Sequence, residues 1–77
     1  MIAELDEIIL DCDLPKHNLA RGDLGTVVLV HNQGEGYEVE FMTLDGETVA
    51  VVTLDSDQVR PIGHNEIANA RGLSPRV

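Results

Sequence analysis

Cys12 and His17, separated by four residues in the polar stretch Asp11-Cys12-Asp13-Leu14-Pro15-Lys16-His17, are the first residues with chemistry to offer. A thiol and an imidazole can share a metal ion or form a nucleophilic pair. A structural zinc site needs four ligands in short paired spacings, and the chain supplies only Cys12, His17, His31 and His64, with no second cysteine. A thiolate fares no better, because Asp11 and Asp13 flank Cys12 and oppose its ionisation. Cys12 therefore reads as a small buried or half-buried hydrophobe. The carboxylate pairs Asp6-Glu7, Asp11/Asp13 and Asp55/Asp57 invite calcium, but no calcium-loop pattern with its glycine and closing glutamate surrounds them. They read as solvated turns and strand ends.

The most distinctive local segment is Arg21-Gly22-Asp23-Leu24-Gly25-Thr26-Val27-Val28. No Gly-Lys-Ser/Thr follows it and no helix begins there, so it is a turn feeding a strand and not a phosphate loop. A similar Gly-x-x-Gly-x-Val entry occurs in SH3-like domains that bind RNA in ribosomes and transcription complexes. Those are basic, whereas this chain has only Lys16 and Arg21 as basic residues up to position 59.

Charge narrows the field of partners. Fourteen acidic residues against five basic ones give a net charge of −9. Such a surface repels phosphate backbones and anionic lipid, which argues against autonomous nucleic-acid or membrane binding. No apolar run reaches the length of a membrane span. The acidic N-terminus, Met1-Ile-Ala-Glu-Leu-Asp-Glu, and the lone cysteine point to the cytoplasm. At 77 residues the chain makes one small domain, with little volume for an interior active site. No cofactor is expected.

The elements follow from the β-branched runs Ile8-Ile9-Leu10, Val27-Val28-Leu29-Val30 and Val49-Ala50-Val51-Val52, each bounded by turn-forming residues. Five strands are predicted, over about 7–10, 25–31, 37–42, 48–54 and 58–60. A long loop covers 11–23, and Asn32-Gln33-Gly34-Glu35-Gly36 forms a turn. Short antiparallel strands at this spacing predict an all-β fold, a five-stranded barrel over residues 1–62. Residues 63–77 form a separate tail. There Asn65 would cap a short helix through Arg71, stopped by Gly72, and Ser74-Pro75-Arg76-Val77 would fray. The tail carries arginines and the rest of the chain is strongly acidic, so the tail is expected to fold back on its own barrel.

Asp45-Gly46 is a strong hairpin signal and sets a register. With a two-residue loop, Leu44 opposes Glu47, Met42 opposes Val49, Glu40 opposes Val51 and Glu38 opposes Thr53. Phe41, Val39 and Tyr37 then oppose Ala50, Val52 and Leu54 on the other, core-filling face. The outward set is rich in apolar side chains. Glu38, Glu40, Met42, Leu44, Val49 and Val51 are accordingly the predicted protein-binding residues, a greasy patch with an acidic rim that includes Glu47. Cover by the tail helix or a longer loop is the competing explanation. A three-residue loop would change the register.

The joint order of Leu5-Asp6-Glu7-Ile8-Ile9-Leu10, Asp13-Leu14-Pro15, Gly22-Asp23-Leu24-Gly25-Thr26-Val27-Val28, Tyr37-Glu38-Val39-Glu40-Phe41, Asp45-Gly46, Val52-Thr53-Leu54 and Gln58-Val59-Arg60-Pro61 resembles a known family. It is a domain-of-unknown-function family of short bacterial proteins with an SH3-like barrel, similar in architecture to the barrel of the nitrile hydratase beta subunit. The resemblance implies membership of small two-gene cassettes of the toxin–antitoxin or immunity type, in which the acidic member blocks its neighbour. It supplies no catalytic residues. The resulting expectation is a non-catalytic module that binds a basic protein or a second copy of itself. The alternative is an accessory subunit or assembly factor of a nitrile hydratase-like metalloenzyme. The 11–23 loop is a second candidate contact surface.

Overall fold

The computed structural model describes residues 1–73; the predicted frayed end at 74–77 lies outside the described residues. Five strands form, β1 (Glu7–Leu10), β2 (Leu24–His31), β3 (Gly36–Met42), β4 (Thr48–Asp55) and β5 (Val59–Pro61). All pair antiparallel in one sheet of order β4-β3-β2-β1-β5. The fold is thus all-β, as expected from the β-branched runs.

That order dictates curvature. β4 and β5 are the two edges, yet only the 3-10 turn Ser56–Gln58 separates them in the chain. Four residue steps reach at most about 14 Å, whereas the edges of a flat five-stranded sheet stand about 19 Å apart. The sheet must curl until its edges approach. Pro61 sits in the edge strand β5, where its missing N–H costs no ladder bond. Asp55 and Gln58 cap the turn reciprocally, the Asp55 N–H donating to Gln58 Oε1 at 2.8 Å.

Inside the curl lie Ile8, Leu10, Val27, Tyr37, Val39, Phe41, Leu54 and Val59, joined by Leu19 from the 11–23 loop. That loop is better structured than its composition suggests. Pro15–His17 form one 3-10 turn, and Leu14 and Leu19 pair across it in an isolated bridge. Gly25 explains itself through packing: a Cβ there would stand 2.5 Å from Val39 Cγ1 and 2.8 Å from Phe41 Cε1. The strand needs a glycine so that the Phe41 ring can lie over it.

The predicted tail helix does not form. Residues 62–73 contain only a turn at His64-Asn65 and otherwise run without regular structure. Asn65 caps nothing; the Glu66 side chain instead folds back to accept the Gly63 N–H at 2.6 Å. Six residues are too few to offset helix nucleation without a packed face. Ile67, the one large apolar side chain available for such a face, is 90% exposed.

Candidate functional site

The six residues predicted to form a docking patch lie on the β3–β4 hairpin, but they do not stay together. The hairpin loop holds three residues, Leu44-Asp45-Gly46, closed by the Thr43 N–H donating to the Glu47 carbonyl at 2.8 Å. Gly46 takes the left-handed conformation, at φ 96°, that a three-residue hairpin loop favours at its last position, and its N–H donates back to the Thr43 carbonyl at 3.0 Å. The longer loop puts Met42 opposite Thr48, not opposite Val49 as the two-residue loop required. Val49 is then the extra residue of a β-bulge, and register is restored at Phe41–Ala50. From there the predicted pairs Glu40–Val51, Val39–Val52, Glu38–Thr53 and Tyr37–Leu54 all occur.

The bulge corrects the patch. Val49 is turned away from the outward set and packs partly buried against the core. Leu44 stands at the loop tip, 93% exposed, one step beyond the sheet face, and it does not oppose Glu47. Met42 and Val51 remain outward at 47% and 54% exposure, with Glu38 and Glu40 beside them.

β2 enlarges this face. Leu29 opposes Glu38 and Thr26 opposes Glu40, so both share the outward side. Val28 is the unpaired residue of a second bulge and is exposed as well. The unbroken Val27-Val28-Leu29-Val30 run has no alternation, so its sequence carried no sign of which side chains face out. The face therefore consists of Val28, Leu29, Met42 and Val51 with carboxylates set among them.

Those carboxylates are held in place. Glu38 Oε2 accepts from Thr53 Oγ1 at 2.6 Å and stands 2.8 Å from His31 Nε2. The Thr53 hydroxyl, and then His31, hold the Glu38 carboxyl below the usual glutamate range. Glu40 Oε2 accepts from Thr48 Oγ1 at 2.7 Å. Both acids lean on cross-strand threonines, so little side-chain freedom remains to be lost on binding.

A second feature, absent from the sequence reading, lies across β1 and β5. By register Ile9 opposes Leu24 and Arg60 on the outward side, yet it is only 7% exposed. It lines a groove of about 1050 Å³ whose other wall includes Ile67, Ala70 and Leu73 of the tail and which continues to Met42 and Leu44. Two arginine forks hold the tail in this position. Arg60 Nη1 and Nη2 donate to the two Glu66 oxygens at 2.8 and 2.7 Å. Arg71 Nε and Nη2 donate to Asp23 Oδ1 and Oδ2 at 2.8 and 2.5 Å, and Nη2 also to the Asn18 carbonyl at 3.1 Å. The expected fold-back of the tail onto the domain is thus present, through its own Arg71 to Asp23 and its Glu66 to Arg60 of β5, though as an extended strap and not as a helix.

The Asp23 site is built by the 11–23 loop itself. Its carboxylate also accepts the Ala20 N–H at 2.8 Å, and Asn18 and Gly22 take left-handed conformations that bend the loop round it. Burial raises the Asp23 pKa, but the Arg71 fork and the Ala20 N–H outweigh burial and leave it below the ordinary aspartate value. With both partners partly solvated, the fork contributes about 1 kcal/mol at most to closing the tail.

Cys12 is half-buried, packs against the core and lies 3.7 Å from Gln58 Nε2, which ties it to the β4–β5 turn. Asp11 and Asp13 both serve Arg21, the first through its guanidinium at 3.2 Å and the second through its backbone N–H at 2.9 Å. Among the described residues, no three His, Cys, Asp or Glu side chains converge in a way that could hold a metal ion. Among those residues, no helix is long and apolar enough to cross a membrane. What this surface offers is half-exposed apolar area and negative charge fixed in place.

The family described as a domain of unknown function, DUF4926, matches residues 4–61, which spans the sheet and ends where the tail begins. No curated protein and no solved structure matches the chain.

Proposed function

The chain belongs to the DUF4926 family of domains of unknown function, and on that premise we propose that it is a non-catalytic module that docks a basic partner protein on the outward face of β2, β3 and β4. One observation carries this reading. Met42 and Val51 lie half-exposed beside Glu38 and Glu40, whose carboxylates are already held by Thr53 and Thr48. Covering apolar residues of this size lowers the free energy in proportion to the area removed from water. The oriented acids favour a cationic covering surface and would accelerate its approach at low salt.

The sheet order and the three-residue turn into β5 support an SH3-like barrel as the scaffold. A small domain of net charge −9 with an apolar, acid-rimmed face fits the neutralising member of a two-gene cassette, blocking a basic, toxin-like neighbour. Co-expression of the tagged chain with the product of each adjacent gene tests this. A stoichiometric complex with a basic neighbour is the expected result. Capture of a cysteine-rich catalytic chain would favour an accessory role in a metalloenzyme, and a homodimer alone would assign the face to a second copy. If neither neighbour is retained, the cassette reading fails.

A further inference from the structure

We propose that Asp23 and the Asn18 carbonyl form an arginine seat, filled in cis by Arg71, which takes an arginine-bearing extended segment of a basic partner when the tail swings away. The inference adds a second contact to the docking face and rests on that reading only for the partner's basic character.

The frame of the seat belongs to the 11–23 loop and not to the tail. Asp23 is fixed by the Ala20 N–H, and the loop that carries it is anchored in the core through Leu19. Its geometry selects a guanidinium, because the two carboxylate oxygens take a parallel pair of N–H donors from Nε and Nη2 that a single ammonium nitrogen cannot supply, while the second Nη2 hydrogen reaches the Asn18 carbonyl.

The occupant, by contrast, is lightly held. Every residue from Pro61 to Leu73 is exposed, and the segment has no ladder or helix of its own. Asn18 and Asp23 lie inside the family match at 4–61, and Arg71 lies outside it. The domain carries the seat, and the tail supplies one way to fill it.

Charge complementarity identifies the replacement. Residues 1–59 contain thirteen acids and two basic residues, so a basic chain is drawn to this surface. Displacing Arg71 exposes the groove from Leu24 to Met42 and Leu44, which runs from the seat to the edge of the docking face. A partner segment with an arginine at Asp23 and apolar side chains beyond it matches this track.

The probe is a fluorescent synthetic peptide of residues Ile62–Leu73, titrated by anisotropy into the full-length protein. Arg71→Gln should vacate the seat and bind the peptide at least about tenfold more tightly than the wild type. A peptide with its arginine replaced by glutamine should not bind Arg71→Gln, and the double variant Asp23→Asn/Arg71→Gln should lose the intact peptide. Because the altered peptide leaves the protein untouched, any misfolding of Asp23→Asn does not remove the control. Equal binding to wild type and Arg71→Gln overturns the proposal, as does no binding to Arg71→Gln at millimolar peptide or undiminished binding of the arginine-free peptide. No partner protein enters the titration, so a working seat with no captured partner defeats the docking reading alone. A captured partner with an inert seat defeats only this one.

Discussion

Gly25 lies where a strand would ordinarily carry a side chain, and the Phe41 ring takes that space. Gly25→Ala places a methyl group against Val39 and Phe41 with no room to yield. It should cost about 1–3 kcal/mol, lowering the melting midpoint of so small a domain by roughly 5–20 °C. An unchanged melting curve would show that the Phe41 ring packs elsewhere. Glu66 gives a second reading at the same scale. The Arg60 fork, helped by the Gly63 N–H, holds its pKa at about 2, far below the ordinary 4.5. A lowered carboxylate stabilises the closed tail above the ordinary value and loses that contribution as pH falls from 4.5 towards about 2. The Gly63 amide resonance should therefore titrate with a midpoint near 2; a midpoint near 4.5 would mean that Arg60 and Glu66 are not paired in solution. Much of this detail is invisible in the sequence. Asp23 is one acid among fourteen, and nothing local marks it as the partner of an arginine forty-eight residues away.

At the scale of the hairpin, two departures from ideal pairing cancel. The three-residue loop shifts the register by one, and the bulge at Val49 shifts it back. This is why the pairs from Phe41 to Tyr37 are legible from Asp45-Gly46 while the same signal puts Val49 on the wrong side. The sequence signal fixes that a turn exists, but loop length depends on Thr43, whose hydroxyl accepts the Glu47 N–H at 2.9 Å. The strands themselves were readable because β-branched runs and glycine punctuation act locally. The tail was not, because its helix-like composition lacked a face to bury. The two valines now separate cleanly. Val49→Glu puts a charge against the core and should lower stability by about 2 kcal/mol or more in urea unfolding. Val51→Lys should stay within about 1 kcal/mol of wild type, since its ammonium would stand opposite Glu40. Equal losses at the two positions would refute the bulge.

For the molecule as a whole, a curled sheet of five strands presents one acidic, partly apolar face beside a groove strapped by its own basic tail. The net charge of −9 makes electrostatic attraction a property of the entire surface, with the oriented glutamates fixing where a partner settles. Association with a basic partner should accordingly slow as ionic strength rises and the Debye length shrinks, while dissociation changes little. An association rate indifferent to salt, followed by stopped-flow, would remove charge from the account. The general acidity was plain from composition. The split of the apolar residues between an open face and a strapped groove was not, because it depends on how far the sheet curls. The most direct measurement is calorimetric affinity for the captured neighbour, with wild type and Val51→Lys compared under one set of conditions. A loss of at least about thirtyfold in the variant is predicted for a central apolar contact replaced by a like charge facing a basic partner. Affinity equal to that of the wild type would place the docking surface elsewhere.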